Sequence, residues 1–317
     1  MTAINRFDSY LDKLSEMLSS AVKEENPALH LLKVDARNIL FRIEALCRIY
    51  AAVYDSNYFE KLMERVKIFE DQLGKIDDFL GSEKALRNIG ENEAILTKLH
   101  SKALIAASEL NSNLEEKNWF NGKRIEKIRM KIHARKYFKP KKEIRRIKEY
   151  FDFEIMKIID FHKLHFDFTE LESQVHELRR KLRWLSIYPH ALNGAVQLTN
   201  SNYSLPQLLK YQTQEIVLSP FNKMPDAANN KHFIIFERDR FLALSWIIAE
   251  LGKLKDKGLL KETVENTAKE IAIESFTIST FDDEAIILNE ASNICKKFFD
   301  EKNLRNLIYG LGRIKKE

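Results

Sequence analysis

Apolar residues recur at intervals of three and four along most of the chain. Phe7, Leu11, Leu14 and Leu18 mark one stripe, and Leu62, Val66, Phe69 and Leu73 mark another. This is the period of amphipathic helices, and no strand-turn-strand pattern accompanies it. The spacing predicts helices near 3–24, 27–54, 57–80, 83–117, 121–138, 141–165, 168–198, 232–256, 259–274 and 283–315. Asn26 followed by Pro27 is a good start for the second of these, a capping side chain before a proline in the first turn. Pro140 separates two basic helices. Residues 199–231 hold three of the six prolines and many Asn and Ser, so they read as one long irregular connection with a short helix near Leu205 to Tyr211. The expected fold class is all-α.

The pattern also repeats. "LHLLKVDARNILFRIEAL" around His30 and "VHELRRKLRWLSIYPHAL" around His176 each place basic residues three and seven positions after a histidine. The triplets are His30, Lys33, Arg37 and His176, Arg179, Arg183, and none of the other six histidines has this spacing. Downstream, "LGKIDD" at 73–78 is echoed by "LGKLKD" at 251–256, aligning Asp78 with Asp256. The same order of parts in both halves implies duplication. The expected organisation is a first bundle over 1–150 and a second over 151–317, the latter carrying the loop at 199–231.

Length permits a full core, and two cysteines, Cys47 and Cys295, exclude a disulfide framework or a four-thiolate zinc site. The first twenty residues are amphipathic and mixed in charge, unlike a secretory leader. No stretch is apolar enough to span a membrane, and the expectation is a cytoplasmic protein. The net charge of +5 is unevenly placed. Residues 123–148 hold thirteen Lys or Arg against two Glu, which is +11 there and −6 elsewhere, and this points to an anionic partner. Arg124, Lys127, Lys131 and Arg135 share one helical face, as do Lys141, Arg145 and Lys148, spacing that suits a phosphate track.

On a continuous helix each histidine triplet forms a single stripe, about 100° from the apolar stripe beside it. The expected core stripes are Leu29, Leu32, Ala36, Ile39 and Ile43 in the first copy and Leu171, Val175, Leu178, Leu182 and Leu185 in the second. Charges at the edge of a buried face need internal carboxylates or an external polyanion. Two readings follow. The basic residues pair with carboxylates of the next helix, such as Asp77, Asp78 or Glu44, or they bind phosphate through forked hydrogen bonds.

The two copies, with H-x-x-K/R-x-x-x-R followed by an L-G-x-x-x-D element, resemble the conserved histidine α-helical domain, CHAD. The resemblance implies two antiparallel helical bundles related by pseudo-twofold symmetry. It also implies a basic inter-bundle cavity that binds inorganic polyphosphate without catalysis, with no cofactor, and association with polyphosphate granules. By position, the implied ligands are His30, Lys33, Arg37, His176, Arg179 and Arg183. From charge and spacing rather than the resemblance, Arg180 and, in the basic segment, Arg124, Lys131, Arg135 and Arg145 are added as candidate polyanion ligands.

Other readings remain beside it. Trp119, Phe120, Tyr137, Phe138, Tyr150 and Phe151 interleave with the basic segment and suit stacking on single-stranded RNA. A phosphohydrolase or phosphotransferase would need a metal cluster or activated nucleophile, and the sequence assembles neither. His162, His165 and Asp167 are weighed as metal ligands, but the third ligand is not obvious and the helix start near Asp167 explains the aspartate as a capping residue. The pairs Asp77–Asp78 and Asp282–Asp283 do not continue as DDxxD. Cys47 and Cys295 sit in apolar helical contexts that read as core.

Overall fold

The computed structural model describes residues 2–88, 93–199, 205–227, 230–271 and 284–313. Asp282–Asp283 and parts of the long connection, 200–204 and 228–229, lie outside them. The described chain is predominantly helical. Its elements are α1 (Ala3–Ala21), α2 (Pro27–Lys33), α3 (Ala36–Val53), α4 (Ser56–Asn88), α5 (Glu93–Glu116), α6 (Lys123–His133), α7 (Pro140–Leu164), α8 (Glu177–Ala191), α9 (Gln214–Leu218), α10 (Arg238–Glu270) and α11 (Glu284–Asp300). Among the described residues no helix is long and apolar enough to cross a membrane.

Two compact units divide the chain. The N-terminal unit is Thr2–Tyr137 with Leu260–Ser279, and the C-terminal unit is Phe138–Leu259 with Thr280–Glu317. The boundary read from sequence at 150 falls inside α7.

In the N-terminal unit, α1 starts with a capping box between Thr2 and Asn5. Its stripe of Phe7, Leu11, Leu14 and Leu18 is buried as the period predicts. Phe7 stacks on Phe59 at 5.5 Å and meets Tyr50 at 5.6 Å. Helices α3, α4 and α5 pack in sequence, and Phe59, Leu62, Val66, Phe69 and Leu73 of α4 are all buried. At about 1.5–3 kcal/mol for each such side chain, this face holds α4 in place far more firmly than its helix propensity. Asn26 caps α2 as read from sequence, accepting from the Leu29 amide at 3.3 Å. Asn111 of α5 clamps the same turn by accepting from the Ala28 amide at 2.8 Å. Beyond α10's midpoint, Val264 and Ala268 pack with Leu86, Ile95, Leu96 and Leu99 in a satellite core of this unit.

The C-terminal unit departs from the all-α expectation by a small sheet. β1 (Val196–Leu198) runs parallel to β2 (His232–Phe236), which runs antiparallel to β3 (Ile308–Arg313). Val196 pairs with Ile234, and Ile234 pairs with Leu311. Residues 196–198, 232–236 and 308–313 fall within predicted helices, but "HFIIF" is dense in β-branched and aromatic residues and Gly310 and Gly312 weaken a helix. Phe236 of β2 meets Phe151 of α7 edge-on at 5.2 Å, which fixes the sheet against that helix. The described part of the connection between β1 and β2 carries more regular structure than its composition suggests. It holds a 3-10 turn at Pro206–Tyr211 and α9. His190 Nε2 lies 2.6 Å from the Phe221 carbonyl, and the Leu205 amide donates to buried Asp239 at 2.7 Å. Helices predicted separately at 232–256 and 259–274 are one, α10, starting after β2.

Candidate functional site

The first histidine segment is not the single helix its spacing predicts. α2 ends at Lys33, Asp35 adopts a left-handed backbone (φ 58°), and α3 begins at Ala36. Aspartate is among the few residue types that enter this region at modest cost. The break rotates α2 so that Ala28 and Leu31 are its buried residues, not Leu29 and Leu32, and His30, Lys33 and Arg37 do not share one stripe. His30 Nε2 lies 3.1 Å from Ser20 Oγ and its Nδ1 3.7 Å from Glu24. Lys33 is exposed.

Arg37, in the first turn of α3, is closed in by α4. Its Nε and Nη2 donate to Glu70 Oε1 at 2.9 and 2.7 Å, and its Nη1 donates to Asp77 at 2.6 Å. Positions 70, 74 and 77 lie on one face of α4. The guanidinium lies on Gly74, where a Cβ would come within 2.9 Å of Nη2. A helical glycine costs about 1 kcal/mol relative to alanine. Charge-assisted hydrogen bonds of about 1.5–3 kcal/mol each outweigh that cost, even with Asp77 half-exposed. Burial alone would lower the Arg37 pKa, but Glu70, Asp77 and Asp78 more than reverse it and raise it.

The second histidine segment is continuous. A π-helical turn, Leu171–His176, runs directly into α8. Val175, Leu178, Leu182 and Leu185 are buried as the period predicts, while Leu171 is half-buried and rests against Gly258. Arg179, in the first turn of α8, lies on Gly252 of α10, where a Cβ would meet Nη2 at 3.0 Å and Nε at 3.1 Å. By this contact Arg179 matches Arg37, so the two triplets align one turn away from the register their histidines suggest.

The surroundings of the matched arginines differ. Four residues before the glycine stands Glu70 in the first copy and Ile248 in the second; three after it stand Asp77 and Lys255. Arg179 Nε donates to the Ile248 carbonyl at 3.3 Å, and Arg179 makes no ion pair among the described residues. Burial pushes its guanidinium below the usual arginine value, with Asp256 alone pulling the other way. His176 sits in the same field. Its Nδ1 is buried without a hydrogen-bond partner, 3.9 Å from the highly exposed Glu172 carboxylate. Burial lowers its pKa; Glu172 opposes this, while Lys255, Arg179 and Arg180 lower it further. Lys255 is mostly buried and 3.5 Å from the exposed Asp256. Arg180 is exposed and pairs with Glu177 at 2.5 Å, and Arg183 is half-buried one turn further along α8. The result is a partly buried cationic cluster with few carboxylates, a place where an anion's oxygen atoms would be stabilised.

The basic segment is divided between the units, with α6 in the N-terminal unit and α7 in the C-terminal one. Much of its charge is used internally. Arg124 Nε donates to the Lys117 carbonyl at 2.9 Å. Arg129 bonds Asp8 at 2.9 Å and Asp12 at 2.6 Å. Arg135 donates to Asp55 at 3.1 Å and to the Lys131 carbonyl, with its guanidinium 3.6 Å over the Tyr58 ring. Arg145 pairs with Glu149 at 3.3 Å and Lys148 with Asp152 at 2.8 Å. Lys127, Lys131 and Lys141 are exposed. Of the interleaved aromatics, Trp119 and Phe151 are buried, and Tyr137 stacks on Tyr54 at 5.0 Å.

His162 is buried and stacked on Phe299 at 4.0 Å, His165 packs on Phe161, and Asp167 bonds Lys296 at 2.5 Å. Among the described residues no group of three His, Cys, Asp or Glu is placed to hold a metal ion. Cys47 and Cys295 are buried free thiols. Sequence reasoning noticed both L-G elements but missed the glycines as platforms and Glu70 as the closing carboxylate. The glycine in the middle of an otherwise strong helical stripe was the available signal. Compared with protein-family models, curated proteins and solved structures, the chain matches none.

Proposed function

We propose that this chain is a CHAD-like, non-catalytic binder of inorganic polyphosphate or a related phosphate-rich anion, and that its C-terminal half does the binding. In this reading the halves are copies of one helical bundle that have diverged in charge. The observation that carries it is the absence of an ion pair at Arg179 among the described residues, where the matching Arg37 has two. A desolvated guanidinium, one turn from an imidazole nitrogen buried without a hydrogen-bond partner, is costly in the free protein. An incoming phosphate oxygen, accepting from Arg179 and neutralising Lys255, removes that cost. Binding weakens with salt as counterions are displaced.

The test is calorimetric titration with defined-length polyphosphate beside single-stranded RNA of equal charge, at two salt concentrations. Tighter uptake of polyphosphate, lost in Arg179→Ala with the fold intact, supports the reading. Equal uptake of both polymers that survives Arg179→Ala, or no uptake of either, sinks it.

A further inference from the structure

A second group of cations lines a cavity within the N-terminal unit. The middle of α4, the end of α5 and the turn into α6 enclose a cavity of about 230 Å³. Three cations line it, Arg65, Lys117 and Arg124, and no carboxylate does. Lys117 pairs with Glu116, which is not among the lining residues. The Nε bond of Arg124 to the Lys117 carbonyl at 2.9 Å fixes that side chain's direction while leaving its terminal nitrogens to other acceptors. Arg65 makes no ion pair among the described residues.

The rest of the lining is not what bare phosphate requires. Gln72 and Asn113 contribute amides to the lining, and Trp119 contributes its indole. None of these three side chains has a hydrogen-bond partner among the described residues. The Trp119 ring packs against Phe69, another lining residue, at 5.5 Å, and the lining residue Ile68 is exposed. Amides offer donors and acceptors side by side, the complement of a heterocyclic base edge. The apolar wall suits a flat ring, and the three cations suit a phosphate attached to it. The volume is below the usual range for drug-sized ligands of about 300–1,000 Å³, which favours a single-ring base over a dinucleotide.

We infer that the cavity between α4, α5 and α6 binds a pyrimidine nucleoside monophosphate, through Arg65 and Arg124 on the phosphate and Gln72 and Asn113 on the base. This site shares no residue with the Arg179 cluster. The probe is UMP, titrated into the full chain by calorimetry and tryptophan fluorescence beside uridine and inorganic phosphate. The expected result is UMP bound about tenfold or more tighter than either fragment, since each lacks one set of charged or amide bonds. Arg65→Ala, and separately Ile68→Glu, which puts a carboxylate at an exposed position of the lining, each weaken UMP about tenfold. Arg179→Ala leaves UMP affinity unchanged. Phosphate binding as tightly as UMP, affinity that survives both cavity substitutions, loss with Arg179→Ala, or no UMP binding would each overturn the assignment.

Discussion

Arg37 and Arg179 each lie in the first turn of an α-helix and on the glycine of an L-G-K element, yet α4 meets its arginine with two carboxylates and α10 with a main-chain carbonyl. The contact that orients a guanidinium is therefore separable from the charges that satisfy it. In the N-terminal unit the arginine acts as a strut between two helices. In the C-terminal unit the same glycine contact holds an arginine that makes no ion pair among the described residues.

The sharpest way to break this comparison is to remove each arginine. Arg179→Ala is expected to weaken polyphosphate binding about tenfold or more, with little change in the urea midpoint. Arg37→Ala should leave polyphosphate affinity within about twofold but cost about 2–4 kcal/mol of stability, because Glu70 is left buried and unpaired. Calorimetry and urea unfolding of both variants read the two quantities. The second test exchanges the surroundings. Ile248→Glu with Lys255→Asp copies the first environment into the second, and should abolish most polyphosphate binding while raising stability by up to about 1 kcal/mol. Retained affinity in that double variant would place the binding elsewhere.

Much of the helical frame was legible because a 3.6-residue apolar period survives in sequence, as in the α1 and α4 stripes. The strands were not, because β2 is five residues long and gains its partners from segments distant in the chain, β1 and β3. Nor did sequence show the break at Val34–Asp35, since Leu29, Leu32 and Ala36 continue the period straight across it. Consequently the candidate residues were named, but their alignment was one turn out. The decisive difference between the sites lay at Glu70 and Ile248, residues on other helices whose nearness only folding provides.

A finer test uses the glycines. Gly74→Ala pushes a Cβ against a guanidinium fixed by Glu70 and Asp77, whereas Gly252→Ala meets one held by a single longer bond that can give way. Gly74→Ala should therefore be the less stable variant by about 1 kcal/mol, despite equal helix-propensity gains of about that size, and chemical unfolding checks the difference. The smallest effect is that of pH. Because burial holds His176 below the usual histidine value, the unfolded chain takes up this proton more readily than the fold does. Acidification below about pH 6.5 thus destabilises the free protein. A bound anion reverses the preference, so polyphosphate affinity should rise about two- to threefold as pH falls through this range. His176→Gln should flatten that rise, and NMR titration of the imidazole reads its midpoint directly.

The three-stranded sheet has a consequence for synthesis. Its central strand is complete at Phe236, but its antiparallel neighbour begins only at Ile308, so a growing chain carries β2 with one ladder unfilled while all of α10 and α11 are made. Ile234 and Phe236, fully buried at the end, wait until then for the closing strand. The C-terminal unit is committed to finish folding last, and this interval is when a nascent chain is most open to pairing with the wrong strand.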